Sequence, residues 1–306
     1  MTRIVSIGEC MVELAPLDAQ SDFRMGFAGD TLNTAWYLAK LLKNSPQVEY
    51  LTAVGTDRLS DQMVQFLNQE GIGTRFIMRR PDRSVGLYMI QLQDGERSFS
   101  YWRGQSAART LAQNANEYSP ALDGAEMVYF SGITLAILPD KDRAGFLEVL
   151  RHFRKAGGTV AFDTNLRSKL WSDPETMKAA ITAAAQVSDI ILPSFDDEAF
   201  WFGDPTPHDT ATRYAKLGAR VVVVKNGSGD IHALSNGVAS LHMPARVDSV
   251  IDSTAAGDSF NAGFLAEWIA GNALDDAIHT GARLAARVVG HRGALVAEAI
   301  DVPHRF

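Results

Sequence analysis

Residues 252–258, with the sequence DSTAAGD, join a turn of small residues to a carboxylate. The apolar residues that follow recur at four-residue spacing: Phe260, Phe264 and Trp268. This spacing predicts a helix that begins near Gly257, and the small side chains leave the free N–H groups at its N-terminus open to an anion. The negative charge of Asp258 would repel that anion, so Asp258 is unsuited to bind it. Asp258 is suited to act as a base that takes a hydroxyl proton while a phosphoryl group is held next to it.

The same turn has a purely structural interpretation. The helix macrodipole favours an acidic residue in the first turn of any helix. On that interpretation, Asp258 only stabilises the helix that it begins. On either interpretation, the apolar residues Val247, Val250 and Ile251 predict the end of a strand just before the turn. The choice between the two depends on the rest of the chain.

Apolar runs that predict buried strands alternate with segments that predict helices along most of the chain. The predicted strands are residues 4–7, 49–54, 127–131, 160–163, 190–192 and 220–225. The predicted helices are residues 32–42, 60–70, 143–156, 174–186 and 210–217. This alternation indicates an α/β protein, with a parallel sheet covered by helices on both faces. No repeat, low-complexity tract or linker divides the chain, so a single domain over residues 1–306 is expected.

Two segments, residues 13–28 and 75–103, interrupt this alternation. In the second segment, two runs of alternating side chains flank Asp94-Gly95, which predicts a hairpin. Tyr101 and Arg103 are two positions apart on that hairpin, so their side chains are expected on the same face. Strands that are not joined by helices commonly form a side sheet, and these segments are expected to do so.

Composition limits the classes of function. A net charge of −7 offers no basic face for nucleic acid, and no apolar run reaches the length of a membrane span. The single cysteine, Cys10, excludes an internal disulfide and any multi-cysteine metal site. The chain has neither a P-loop nor the protein-kinase motifs. The apolar run near its N-terminus is too short for a signal peptide and is soon followed by a charged residue, so a cytoplasmic protein is expected.

The turn at residues 252–258 resembles the C-terminal signature of the PfkB, or ribokinase-like, sugar kinases, Asp-(Ser/Thr)-Thr-Gly-Ala-Gly-Asp, with Ala255 in place of the first Gly. Residues 28–33, AGDTLN, resemble the family's other signature, Gly-Gly-x-x-x-Asn, with Ala28 in place of the first Gly. The order of elements is similar throughout, so the resemblance covers essentially the whole chain. It implies the ribokinase-like fold, a three-layer α/β/α domain with a mostly parallel central sheet and a small β-strand lid. The lid would be formed by residues 13–28 and 75–103.

The resemblance also implies roles for the residues that match the family's motifs. Asp258 would be the catalytic base, within an anion hole formed by Ala255, Ala256, Gly257 and Asp258. The substrate would contact Gly29, Asn33, Tyr88, Tyr101, Arg103 and Arg167. The nucleotide would lie near Asn165, Ser194, Lys225 and Gly227. Mg²⁺ would be ordered through water by Asp197 or by Glu198, because the chain departs here from the family's Asn-x-x-Glu.

The segments GLY at 86–88 and YWR at 101–103 resemble the lid of family members that phosphorylate 2-keto-3-deoxy sugar acids. An acid substrate needs a fixed positive group, and Arg matches a carboxylate bidentately. By resemblance, Arg103 and Arg167 face the carboxylate and keto end, and Tyr88 and Tyr101 face the hydroxyls. The structural alternative is that Arg103 is solvated and Arg167 pairs with a nearby acid.

The expected reaction is therefore the phosphorylation of 2-keto-3-deoxy-D-gluconate to its 6-phosphate, with ATP and Mg²⁺. Three alternatives stay open: the galactonate epimer as substrate, a neutral sugar such as fructose, and a catalytically silent sugar-acid sensor. The expected partners are a small sugar acid and ATP, with neither nucleic acid nor membrane. Exposed lid strands often pair edge to edge, so a homodimer is also expected.

Overall fold

The computed structural model describes residues 3–17, 22–43, 45, 47–93, 96–247 and 249–300. Its strands are β1 (Arg3–Ile7), β2 (Met11–Pro16), β3 (Phe23–Ala28), β4 (Gln47–Leu51), β5 (Ala53–Gly55), β6 (Met78–Arg80), β7 (Gly86–Gln93), β8 (Glu96–Trp102), β9 (Met127–Ser131), β10 (Thr159–Asp163), β11 (Ile190–Ile191), β12 (Val221–Val224), β13 (Ile231–Ser235) and β14 (Val238–His242).

The α-helices are α1 (Asp30–Leu42), α2 (Arg58–Gln69), α3 (Ala115–Tyr118), α4 (Gly132–Ile137), α5 (Asp140–Lys155), α6 (Pro174–Ala185), α7 (Phe195–Phe202), α8 (Pro207–Lys216), α9 (Ala256–Ile269) and α10 (Leu274–Val288). Several begin at side-chain caps that accept backbone N–H groups, as Asp57 does for α2 and Asp173 for α6. Among the helices of the described residues, none has both the length and the apolar character to cross a bilayer.

Eight strands form the central sheet, in the order β14-β13-β12-β11-β10-β9-β1-β4. The strands from β12 to β4 pair in parallel, whereas β13 and β14 continue the sheet as an antiparallel hairpin. The predicted parallel sheet is confirmed, and the terminal hairpin was not predicted. The predicted strand at residues 49–54 is in fact β4 followed by β5, which belongs to a separate two-stranded sheet with β6.

Alternate residues of the central strands point to opposite faces of the sheet. On β9, Met127 and Tyr129 pack in the core under α1, α9 and α10, whereas Val128 and Phe130 pack in the core under α5, α6 and α8. All four side chains are buried, so the sheet separates two apolar cores. The expected three-layer α/β/α arrangement is confirmed.

The two segments outside the alternation form a four-stranded side sheet, in the order β3-β2-β7-β8. The predicted hairpin is confirmed by the antiparallel pairing of β7 with β8, in which Tyr88 lies opposite Tyr101. The turn predicted at Asp94-Gly95 lies outside the described residues. Met11, Tyr88 and Ala294 share one small buried cluster, with Ala255 packed against it. The side sheet therefore lies against the start of α9.

The strand predicted before residues 252–258 is wrong. Residues 243–247 and 249–252 form no strand, and Val250 and Ile251 are 68% and 55% exposed. The segment instead crosses to α10, where the N–H groups of Ile251 and Asp252 donate to the Val289 carbonyl. The three apolar residues are irregularly spaced and do not show the alternation of a strand, which explains the wrong prediction.

Candidate active site

The parallel strands bring chemistry-bearing residues to a single edge of the central sheet. Glu9 follows β1, Asp163 ends β10, Ser194 follows β11 and Lys225 follows β12. Because these strands run in the same direction, their carboxyl ends lie side by side. The residues predicted from distant parts of the sequence thus share one edge of the fold.

The small-residue turn begins α9 one residue before the predicted start. Ala255 precedes the helix in the left-handed region, with φ 58° and ψ 16°. Ala256 is the first residue of the helix, and its N–H donates to the Ser253 carbonyl at 3.2 Å, so the N–H of Gly257 is among the donors that the helix leaves free. Asp258 lies in the same first turn, which places its carboxyl beside those donors.

Replacement of Ala255 by glycine is expected to stabilise the protein by about 0.5–1 kcal/mol. The left-handed region costs an L-residue roughly 1–2 kcal/mol, and glycine removes that cost while it adds some freedom to the unfolded chain. Urea unfolding of the wild type and Ala255→Gly measures the difference. An unchanged or lower stability would show that the turn carries no strain at this position.

Asp258 is a buried carboxyl group, only 9% exposed. Its Oδ2 accepts a hydrogen bond from Asn33 Nδ2 at 2.8 Å, a contact that the sequence did not predict. Burial, with the neighbouring carboxylates of Asp30 and Asp163, raises the pKa of Asp258 to about 8, although the Asn33 bond and the Lys225 charge oppose the rise. A carboxylate with a raised pKa is a stronger base than an ordinary one.

Lys225 lies beside the turn that begins α9. Its Nζ donates to Asn261 Oδ1 at 3.0 Å and to Asp163 Oδ1 at 3.4 Å. A side chain added at Gly257 would find Lys225 Nζ as its nearest neighbour, at 3.6 Å. The lysine charge and the free helix donors therefore face the same space, where both would attract a phosphate group.

Asn165 lies beside the start of α1. Its Nδ2 donates to Asp30 Oδ2 at 2.8 Å, and its backbone has a positive φ of 29°. Burial is the main cause that raises the pKa of Asp30, and the nearby Asp163 adds to it. Asp30 is thus a second perturbed carboxyl group close to Asp258, and sequence analysis did not single it out.

Three predicted residues also have local structural reasons. A side chain at Gly29 would overlap the Glu9 carbonyl, so close backbone packing requires glycine there. Gly227 has a positive φ of 55° in the exposed turn between β12 and β13. Ser194 forms an isolated bridge with Lys225 along the sheet edge, and its side chain makes no cap bond to α7.

Arg103 forms an ion pair with Glu9, a residue that is only 2% exposed. Ser106 donates to the other oxygen of the same carboxylate. The Arg103 Nε has no hydrogen-bond partner within the described residues, although it is buried. The expectation of a solvated arginine is therefore wrong, and Arg103 is held rigidly by a buried acid.

The two tyrosines of the side sheet differ in exposure. Tyr88 is 8% exposed and donates to Glu13, and burial raises its pKa well above the ordinary value, with the Glu13 charge adding to the effect. Tyr101 is 52% exposed, and its ring lies 5.9 Å from that of Tyr88. The rings form one aromatic surface with Phe99.

Arg167 lies on the loop after β10 and is exposed. It is close enough to Asp197 to lower the pKa of that carboxyl group, while burial, the dominant cause, raises it. Glu198 is fully buried and pairs with Arg213 at 2.7 Å and with the Tyr214 hydroxyl at 2.9 Å. Of the two acids left open by the sequence, Glu198 is thus already ion-paired, whereas Asp197 is close enough to Asp163 and Lys225 for both charges to affect its pKa.

Sequence analysis missed Glu9 and Asn261. Glu9 lies just past a buried strand, and the tendency of ligands to bind at the carboxyl ends of parallel strands could have found it. Asn261 lies in an apolar helix, and its spacing gives no sign that it bonds to Lys225. Only the fold reveals that contact.

A carboxylate beside free helix donors and a lysine is the arrangement of a kinase that phosphorylates a small hydroxyl compound. The chain belongs to the pfkB family of carbohydrate kinases, whose model it matches over residues 1–299. It is 38% identical over 303 residues to the 2-dehydro-3-deoxygluconokinase of Haemophilus influenzae, which covers 97% of this chain and 96% of that relative. It is 39% identical over 301 residues to the enzyme of the same name from Dickeya dadantii, with 96% of each chain covered.

The fold is also found in solved structures. The PfkB protein from Polaromonas sp. JS666 is similar with a TM-score of 0.84 and 26% identity, over 94% of this chain and 96% of that one. The family and the fold that the sequence motifs implied are both confirmed.

Proposed function

We propose that this protein transfers the γ-phosphoryl group of ATP to the 6-hydroxyl of 2-keto-3-deoxy-D-gluconate, with Asp258 as the base. The observation that carries the proposal is the place of Asp258 in the first turn of α9, opposite Lys225. The substrate follows from the two relatives named above and from the ion-paired arginine of the side sheet. The role of Asp258 rests on geometry, and the identity of the substrate rests mainly on similarity to these relatives.

In the proposed reaction, the sugar hydroxyl loses its proton to Asp258 as its oxygen attacks the γ-phosphorus. The bond from phosphorus to the ADP oxygen breaks, and ADP leaves with that electron pair. The N–H group of Gly257, with the Lys225 ammonium, would hold the charge on the transferred group. The Asn33 bond keeps the base in place without protonating it.

Mg²⁺ fits the acids at the end of β11. Mg²⁺ keeps several waters and takes one or two carboxylates besides the substrate phosphates. Burial raises the pKa of Asp197, Arg167 and Lys225 oppose the rise, and Asp163 and Asp196 add to it, so a cation here would offset the charge of three neighbouring acids. When bound with ATP, Mg²⁺ supplies charge neutralisation on the phosphates.

Replacement of Asp197 by asparagine is expected to raise the Mg²⁺ concentration for half-maximal activity about tenfold or more, because partners that act through bound water tune metal affinity by such factors. A titration of initial rates with Mg²⁺ measures it. The matched variant is Glu198→Gln, which weakens the pair with Arg213 and should lower stability without a change in the Mg²⁺ requirement. If Glu198→Gln raised the Mg²⁺ requirement and Asp197→Asn did not, Glu198 would be the residue that orders the metal.

The test of the function is ADP release with Mg-ATP and a panel of sugars: 2-keto-3-deoxygluconate, its galactonate epimer, gluconate, fructose and ribose. Turnover confined to the keto-deoxy acids supports the proposal, and the ratio between the two epimers gives the stereochemical preference. Absence of turnover on every sugar would contradict it and favour a sensor.

One observation favours a neutral sugar such as fructose instead. Glu9 neutralises Arg103 inside the protein, so the pair carries no net charge for a substrate carboxylate. Against this, a guanidinium held in place by Glu9 has further N–H donors, which suit a carboxylate. Preference for fructose in the panel would decide for the neutral sugar.

A further inference from the structure

A network of buried polar side chains lies beneath the catalytic turn, and Asn261 is its centre. The side chain of Asn261 is fully buried. Its Oδ1 accepts from Lys225 Nζ at 3.0 Å, and its Nδ2 donates to Asp163 Oδ2 at 2.9 Å and to the Tyr129 hydroxyl at 3.1 Å. Its oxygen and its amide nitrogen are thus engaged with two charged groups and with one buried hydroxyl.

An amide is the side chain that this position requires. It must accept from an ammonium on one side and donate to a carboxylate on the other, and a carboxylate or an apolar side chain supplies only one of these or neither. Lys225 has three N–H donors, of which Asn261 and Asp163 take two. The third remains for an anion at the turn near Gly257, whose substituted Cβ would lie 3.6 Å from Nζ.

We propose that Asn261 is a positioning residue that holds the Lys225 ammonium over the catalytic turn for the nucleotide phosphates. This inference rests on the proposed function. Without Asn261, the ammonium would keep only the longer contact with Asp163, which draws it toward β10. The proposal predicts a defect in the use of ATP and none in the binding of sugar.

The link from this network to the base is indirect. Thr34 Oγ1 lies 3.2 Å from the Tyr129 hydroxyl and 3.2 Å from the backbone carbonyl of Asp258. Within the described residues, this chain of hydrogen bonds reaches Asp258 at its main chain, whereas the contact of Asn261 with Lys225 is a direct bond between side chains. The charges of Lys225 and Asp163 still act on the pKa of Asp258, so the use of Mg-ATP, rather than the pH profile, is the readout for the positioning of Lys225.

The test is a double-mutant cycle with Asn261→Ala, Lys225→Met and the combined variant, in which kcat and both KM values are measured. Asn261→Ala is expected to lower kcat/KM for Mg-ATP about tenfold or more, as the loss of a hydrogen bond to a charged group does, with KM for the sugar unchanged. In the combined variant, the loss should be no larger than with Lys225→Met alone. Additive losses, or equal changes in both KM values, would overturn the proposal.

Tyr129→Phe is the matched control, since it removes another hydrogen bond of Asn261 without contact to Lys225. It is expected to lower thermal stability and to leave KM for Mg-ATP unchanged. If Asn261→Ala folds poorly, the cycle is run with Asn261→Ser, whose hydroxyl is too short to reach Lys225. Titration calorimetry with Mg-ATP gives the cycle a readout without turnover, so failure of the sugar panel and failure of this proposal are distinguishable.

Discussion

Asp258→Asn is expected to lower kcat by about 10²–10⁴-fold, the range that a general base contributes. The amide keeps the size of the side chain and still meets Asn33, but it cannot take a proton. Steady-state rates on the preferred sugar measure the loss, with substrate affinity followed separately by calorimetry. A variant that retains more than a tenth of the activity would remove Asp258 from the role of base.

The pH dependence gives the same prediction a second readout. Since burial and nearby carboxylates raise the pKa of Asp258 to about 8, kcat/KM for the sugar should fall as pH decreases through that value in the free enzyme. Asp30→Asn removes one of the groups that raise this pKa, so it should move the falling limb toward lower pH. A limb that does not move would show that Asp30 has no electrostatic effect on the base.

Stability changes in the opposite direction to activity. The folded pKa of Asp258 exceeds its ordinary value of 3.8, so the folded state binds more protons between about 4 and 8 and loses stability as pH rises through that window. Asp258→Asn has no carboxyl group at this position and does not lose stability in this way. Its melting temperature minus that of the wild type should therefore increase from pH 5 to pH 8. Asp61→Asn, at an exposed acid, is the control and should show no such trend.

Arg103→Ala is expected to lower kcat/KM for the keto-deoxy acid by roughly 30- to 4,000-fold, equivalent to about 2–5 kcal/mol for a buried charged contact. A neutral sugar makes no such contact, so turnover of fructose should change little. The comparison of kcat/KM for the two sugars measures this selectivity. Equal losses on both would assign Arg103 a structural role and favour the neutral-sugar kinase.

Glu9 makes a control necessary, because Arg103→Ala leaves its buried carboxylate without a cation. In the double variant with Glu9→Gln, both charges are removed and the folding cost is expected to be smaller. If recognition of the acid depends on Arg103, the double variant regains stability but not turnover of the acid. Recovery of that turnover would instead show that the single variant was only misfolded.

The sequence by itself determined the parallel strands of the central sheet and their order along the chain. Apolar periodicity located the central strands to within a few residues, since burial on both faces of a parallel sheet requires continuous apolar runs. The small residues of the turn at 252–258 located the start of α9, because only such residues leave helix donors open. Both signals are local, and local physics suffices for them.

Only the tertiary structure decided the partners of the site residues. Arg103 meets Glu9 across 94 positions of sequence, and Asn33 meets Asp258 across 225. No spacing rule joins such positions, since their contact depends on strand order and on which residue ends at the sheet edge. The same reason explains why Asn261, a polar residue in an apolar helix, showed its bond to Lys225 only once β12 and α9 were packed together.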